Sequence, residues 1–435
     1  MTTRRRALAA WSSALTILLT GCGGTSSDDA AAPARTTTSP TPSGGAEKFQ
    51  PAAADFRQVK AVLARRTRAL VDHDEAAFLA TVDDRQPELV AQQRTLYDNI
   101  AQLPVAALSY GVDTSSALVP ASVPGDDPVL HPAVVEHLRL ARTFDRPVSN
   151  AVDLTFVRRD GRWLLGSETE AKEADHFDTP QERPWFGVPV VARQVGSMTV
   201  LVDRSEADSL DGLTRAVQED IAYDAQLLGV PAPSKLLVDA TTNGLGVNFS
   251  SLSEQEAAAV TFGVSSTDPL GQRSTGLAGL VIKVNPHTVE RVVDDAGIMR
   301  HELTHYLLER YNGYVPKWLS EGVAAWVQYY PDDFSQWQVP AALYDRLMRA
   351  DRTLPILGLF NQDPELNYPI SQAAVSWLVA HYGVADLLDL MRAYREQYDG
   401  ADVDALTPRL LRQVYGVTPG QVTAGAWELL ARFAH

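Results

Sequence analysis

In the carboxyl-terminal part of this 435-residue chain, every strand-like run precedes Val292 and every later apolar repeat has helical spacing. Met198–Val202, Lys235–Asp239, Ala259–Phe262 and Leu277–Val284 are short apolar runs of strand length. Asp208–Leu228, between the first two, is patterned as an amphipathic helix. Beyond Val292 the stretches near Leu343–Arg349, Ser371–Tyr382, Ala385–Tyr398, Val403–Tyr415 and Gly420–Ala434 repeat at 3.6 residues, punctuated by Gly or Pro. Sheet first and helices after is the order of an α+β fold.

Composition narrows the function classes. With 45% hydrophobic and 21% charged residues, collagen-like, coiled-coil and wholly disordered chains are excluded. The net charge of −16, from 54 acidic against 38 basic residues, argues against nucleic acid or an anionic membrane face as the main partner. The single cysteine, Cys22, excludes an intramolecular disulfide framework and a cysteine-based zinc site.

That cysteine has a telling position. Arg4, Arg5 and Arg6 precede an apolar run from Ala7 to Leu19, followed by Leu19-Thr-Gly-Cys22. The run falls short of the ~20 residues a spanning helix needs. A basic start, a short apolar run and small residues at the cleavage point make an export signal. The tetrapeptide resembles a bacterial lipobox, which implies that residues 1–22 direct export and that Cys22 carries the lipid. The chain is then expected on the extracytoplasmic face of the membrane, held there by that lipid. Residues 23–54, rich in Gly, Ser, Thr, Pro and Ala, cannot bury enough surface to offset their ordering entropy and read as a flexible tether.

A first folded region is expected over residues 55–175. Phe56, Val59, Val62, Leu63, Leu70 and Val71 recur near helical spacing. Later Val152, Leu154 and Phe156 alternate with other residues, and Asp160-Gly161 marks a turn into Trp163-Leu-Leu165. A helix first and a hairpin last resembles the NTF2-like α+β cone. His73, His131 and His137 have no metal spacing to one another and read as solvated or structurally bonded residues.

The second region, 184–435, declares a chemistry. In Arg300-His-Glu-Leu-Thr-His-Tyr-Leu-Leu308, His301 and His305 lie four apart, on one face of a helix. Two imidazoles so placed can share one zinc, and Glu302 beside the first can reach a metal-activated water without binding the metal. A catalytic zinc takes three protein ligands and keeps one position open. Pro316-Lys-Trp-Leu-Ser-Glu321-Gly-Val-Ala324 opens a second helix, with Pro316 near its first turn. Glu321 is the candidate third ligand.

These residues resemble the gluzincin metallopeptidases, especially peptidase-MA-like bacterial proteins, whose HExxH and W-L-x-E-G-x-A patterns match His301–His305 and Trp318–Ala324. The resemblance implies that His301, His305 and Glu321 hold Zn2+, and that Glu302 is general base and later acid to the leaving amine. It implies a peptide or protein substrate, lying along Leu277–Asn285 as edge strand. It also makes Tyr368, heading Tyr368-Pro-Ile-Ser371, the candidate donor to the oxyanion, with a packing tyrosine as the alternative. No Gly-x-Met-Glu-Asn grip for a free α-amino group is present, which favours an endopeptidase. No carboxylate follows Glu321 by three or four residues, where Ala324 and Ala325 stand, so the partner orienting the histidines lies elsewhere. Asp294 and Asp295 read as caps of the motif helix. A non-catalytic zinc lipoprotein, acting as a binding or scaffolding module, is the competing reading.

Overall fold

The computed structural model describes residues 51–118, 127–170, 183–232, 235–243 and 258–433, apart from the single positions 333, 338, 361 and 401. The export signal, Cys22 and nearly all of the expected tether lie outside the described residues. Within them the fold is α+β with two sheets. None of their helices is long and apolar enough to cross a membrane.

The first sheet is an antiparallel meander of β1 (Val105–Leu118), β2 (Val129–Leu140), β3 (Val148–Arg159) and β4 (Arg162–Glu170). Helices α1 (Ala53–Val71), α2 (Glu75–Leu79) and α3 (Pro87–Ala101) precede it. The helical stripe read in the sequence is what packs: Val59, Val62 and Leu63 of α1 meet Leu130, Val134, Val152, Leu154, Phe156 and Trp163 of the sheet. Trp163 donates its indole N–H to Asp55 at 3.1 Å. A second, charged layer lies inside. Arg66 and Arg183 sit among Glu136, Glu168 and Glu170, with Arg183 Nη2 2.6 Å from Glu168.

The second sheet has the order β5-β6-β7-β9-β8: β5 (Val190–Val195), β6 (Met198–Asp203), β7 (Leu236–Ala240), β9 (Ser274–Val284) and β8 (Ala259–Thr267). β6, β7 and β9 run parallel, while β5 and β8 run antiparallel to their neighbours. Helix α4 (Leu210–Leu228) carries the crossover from β6 to β7. Side chains of the sheet's inner strands alternate between two different cores, as the period of two of a strand requires. Val200, Val202, Val238, Ile282 and Val284 face α4 and α6. Leu201, Leu237, Val281 and Val264 face the amino-terminal region, joining Ile100, Leu138, Leu140 and Phe144 in one core. The run expected as the edge strand, Leu277–Asn285, is instead β9 over most of its length: its Val281–Lys283 segment pairs with β7 on one side and β8 on the other, and the outer strands of the sheet are β5 and β8.

The helical part comprises α5 (Val289–Asp294), α6 (Ala296–Leu307), α7 (Lys317–Tyr329), α8 (Ala341–Arg349), α9 (Leu357–Phe360), α10 (Pro364–Gln397, broken at Gly383), α11 (Thr407–Tyr415) and α12 (Pro419–Leu430). Trp318, Leu319, Val323 and Val327 of α7 pack on Ala373, Ala374, Val375 and Leu378 of α10, with α11 and α12 closing the far side.

Candidate metal centre

Helix α6 begins at Asp295, whose side chain accepts from the Gly297 amide at 3.1 Å; of the two expected caps, Asp294 instead ends α5. The helix is pinned to α4 by Arg300, which meets Asp220 at 3.2 Å and covers the Tyr223 ring at 4.0 Å. One turn apart on its inner face stand His301 and His305, ring centroids 5.0 Å from each other. Helix α7 starts after Pro316 and brings Glu321 against them. The three residues come together with their donor atoms within 4.8 Å of one another, the metal-capable cluster found among the described residues.

The separations test the fit. His301 Nε2 and His305 Nε2 are 3.3 Å apart, and Glu321 Oε2 is 3.3 Å from the first and 3.4 Å from the second. Three corners of a tetrahedron with bonds of ~2.0–2.1 Å are about 3.3–3.4 Å apart. The donor set is one that suits a divalent ion. His301 Nδ1 lies 3.0 Å from Gln328 Oε1. Its N–H therefore points outward, leaving the Nε2 lone pair to face the cluster.

Charge is arranged to match. Burial raises the Glu321 carboxyl, but the Lys317 ammonium, the two histidines and their hydrogen bonds hold it well below the usual range. Lys317 Nζ stands 2.7 Å from Glu321 Oε1, one turn before it on α7. For His301 burial disfavours the charged ring, and the hydrogen bond to Glu321 with the charges of Glu302 and Glu321 outweighs it, raising the pKa. Burial and those same two carboxylates push the Tyr368 hydroxyl well above its usual value, so it stays a donor.

Glu302 is buried beside the cluster and is held from the opposite side. Thr261 Oγ1, on β8, lies 2.8 Å from Glu302 Oε2 and 3.0 Å from its carbonyl oxygen. Tyr368 lies one turn inside α10, buried, its ring 6.2 Å from that of His301 and 5.1 Å from that of Phe360. The α7–α10 crossing that places it is close because Gly322 follows Glu321. A Cβ at Gly322 would stand 2.5 Å from the Ser371 carbonyl oxygen.

Sequence reading missed three participants. Gln328 lies seven residues after Glu321, hence on the same helical face, but it is an amide and stands one turn beyond the positions where a carboxylate partner is expected. Lys317 sits at the spacing of a helical ion pair with Glu321. Thr261, 41 residues from Glu302 in the chain, carries no local signal. Outside the site, His381 bonds the Trp377 carbonyl at 2.7 Å. His131 pairs with Asp153, and burial lowers the pKa of His137.

Neither the family models nor the curated proteins contain a match to this chain.

Proposed function

We propose that this protein is a zinc-dependent peptide-bond hydrolase of gluzincin type, exported and tethered by lipid on Cys22 to the extracytoplasmic face of a membrane. In this reading the second sheet and α6–α12 form the metallopeptidase fold, and the first sheet with α1–α3 an NTF2-like one. The observation that carries it is the juxtaposition of three converging donors with a carboxylate, Glu302, that points no donor atom into the cluster. A structural zinc site takes four protein ligands. Here His301, His305 and Glu321 supply three, and a purely structural site has no use for a buried base beside them.

Zinc bound there supplies Lewis acidity toward the scissile carbonyl and lowers the pKa of water toward ~7. Gln328 fixes the His301 tautomer, and Lys317 keeps one Glu321 oxygen engaged so that the other faces the histidines. Glu302, oriented by Thr261, takes the proton of the attacking water and passes it to the leaving amine. Tyr368, protonated at every physiological pH, donates to the oxyanion.

The test combines metal content with cleavage of a broad peptide library by wild type and Glu302→Gln. Both are expected to bind zinc, and only the wild type to cleave. A wild type that holds zinc and cleaves nothing would sink the enzyme reading and leave a zinc-binding scaffold. Glu321→Ala is expected to lose the metal, and Cys22→Ser to leave the membrane fraction.

A further inference from the structure

Strand β8 is the outer strand of its sheet, and it passes the candidate base, with Thr261 against Glu302. Among the described residues no backbone pairs with its outer side from Ala259 to Ser266. That open row of amides and carbonyls is a template for an extended peptide. The row does not run the length of the strand. The Asp268 amide points inward, to the Arg273 carbonyl at 2.9 Å. The Thr267 amide before it points outward, where Ser149 Oγ of β3 meets it at 2.9 Å.

The contact is part of a clasp. Ser149 Oγ is 2.8 Å from His137 Nδ1, and His137 Nε2 is 3.3 Å from the Pro269 carbonyl. One proton arrangement satisfies all three bonds: Nε2–H donates to Pro269, the Ser149 hydroxyl donates to Nδ1, and Ser149 Oγ accepts from Thr267. Gly111 leaves room for the Pro269 carbonyl, which a side chain there would overlap. Arg146 reaches the Thr275 carbonyl, and the Asp145 amide donates to Ala278 at 3.2 Å. The first sheet thus grips the β8–β9 turn and closes the open edge at Thr267. The β8–β9 register shifts twice, between Val264 and Ser265 and between Ser266 and Thr267, with the extra residue on β9 each time, so the outer row of β8 itself stays continuous.

We propose that the amino-terminal sheet is an end-stop on the substrate strand, making this a hydrolase of peptides cut close to their amino terminus. The inference rests on the peptidase reading above. From Thr261 to Thr267 the strand is about 20 Å long at ~3.3 Å per residue, so about five substrate residues fit between the scissile bond and the stop. Antiparallel addition forms the more stable ladder and sends the substrate's amino-terminal side toward Thr267. Among the described residues, the other direction along the strand, toward Ala259, meets no such clasp.

The zinc-loaded full chain is incubated with a mixed library of synthetic peptides of about fourteen residues, blocked at both termini, and the products are read by mass spectrometry. Cuts are expected within about five residues of the amino terminus. Lengthening a good substrate at its amino end should raise KM about tenfold, as strand hydrogen bonds are given up, while lengthening its carboxyl end should not. The same break is expected in fluorescence-anisotropy binding of the ladder to Glu302→Gln. In Ser149→Ala, which frees the Thr267 amide, the outer limit should move outward by about one or two residues. Cuts spread evenly, or gathered at the carboxyl end, overturn the end-stop and leave the peptidase standing. An unmoved limit in Ser149→Ala overturns its placement at the clasp. A library left intact by zinc-loaded protein overturns both readings together.

Discussion

Gly322→Ala sets two effects of opposite sign against each other. Glycine inside a helix costs ~0.8–1.0 kcal/mol relative to alanine, so propensity alone makes the substitution stabilising. The added Cβ, however, would stand 2.5 Å from Ser371 O, 2.7 Å from Val375 Cγ2 and 2.9 Å from Ser371 C. Two of those atoms are backbone, so relief requires α10 to move away from α7. Overpacking of this kind costs ~1–3 kcal/mol, and an obstacle made of backbone belongs in the upper half of that range. The net is a destabilisation of about 1–2 kcal/mol, or a fall in Tm of a few degrees. The displaced helix carries Tyr368, and the substituted residue adjoins Glu321, so zinc affinity should fall with stability. Gly420→Ala is the control: it too is helical, but its nearest neighbour is Thr418 Oγ1 at 3.9 Å. It is expected to leave Tm unchanged or slightly raised. Calorimetry of the three proteins, with zinc affinity by chelator competition, makes the comparison. A Gly322→Ala protein as stable as wild type, with undiminished zinc binding, would refute the idea that this glycine exists for the helix crossing.

Three more expectations follow from named contacts. Arg183→Met strips the guanidinium from among Glu136, Glu168 and Glu170; Glu168 keeps Arg66, but Glu136 and Glu170 lose the cation they pair with, and urea denaturation should show a loss of about 3–5 kcal/mol. Gln328→Ala removes the acceptor that fixes the His301 tautomer, and zinc affinity by chelator competition should fall about 10–100-fold with little change in Tm of the metal-free protein. Asp224 is buried and has no hydrogen-bond partner among the described residues, and burial with the adjacent Asp220 charge pushes its pKa from 3.8 up to about 8. Its folded form keeps a proton that the unfolded chain releases, so its contribution is complete below pH ~4 and is lost as pH rises toward ~8. Asp224→Asn should flatten that decline, leaving the metal-free variant more stable than wild type at pH ~8 in urea titrations; parallel curves would refute the assignment.

Legibility in the sequence follows separation along the chain. His301 and His305 share a helix face by spacing alone, and the Trp318–Ala324 pattern pointed to Glu321 because the residues that position it are its own helical neighbours. The edge strand is different. Strand order depends on which strands pair, and the resemblance pointed to Leu277–Asn285. The run Leu280-Val-Ile-Lys-Val284, apolar at four of five successive positions, has the pattern of a strand covered on both faces. Gly263, Ser265, Ser266 and Thr267 of β8 have the small, polar character of an edge. Thr261 was beyond reach, since no pattern in β8 announces that one of its hydroxyls will meet a carboxylate on α6.

The relation between the two sheets was legible in principle. Val200–Val202 and Leu236–Val238 are apolar at successive positions, so both faces of those strands must be covered. Helices α4 and α6 cover one face. The helices from α7 onward are committed to their own core around α7 and α10, which leaves, among the described residues, the amino-terminal region to cover the other. It does so through Ile100, Leu138, Leu140 and Phe144 against Leu201, Leu237 and Val281. A chain cut between residues 171 and 182 would bare that apolar face and release the clasp on the β8–β9 turn. The amino-terminal region is therefore part of the structure that holds Thr261 against Glu302, and a detachable spacer could not do that.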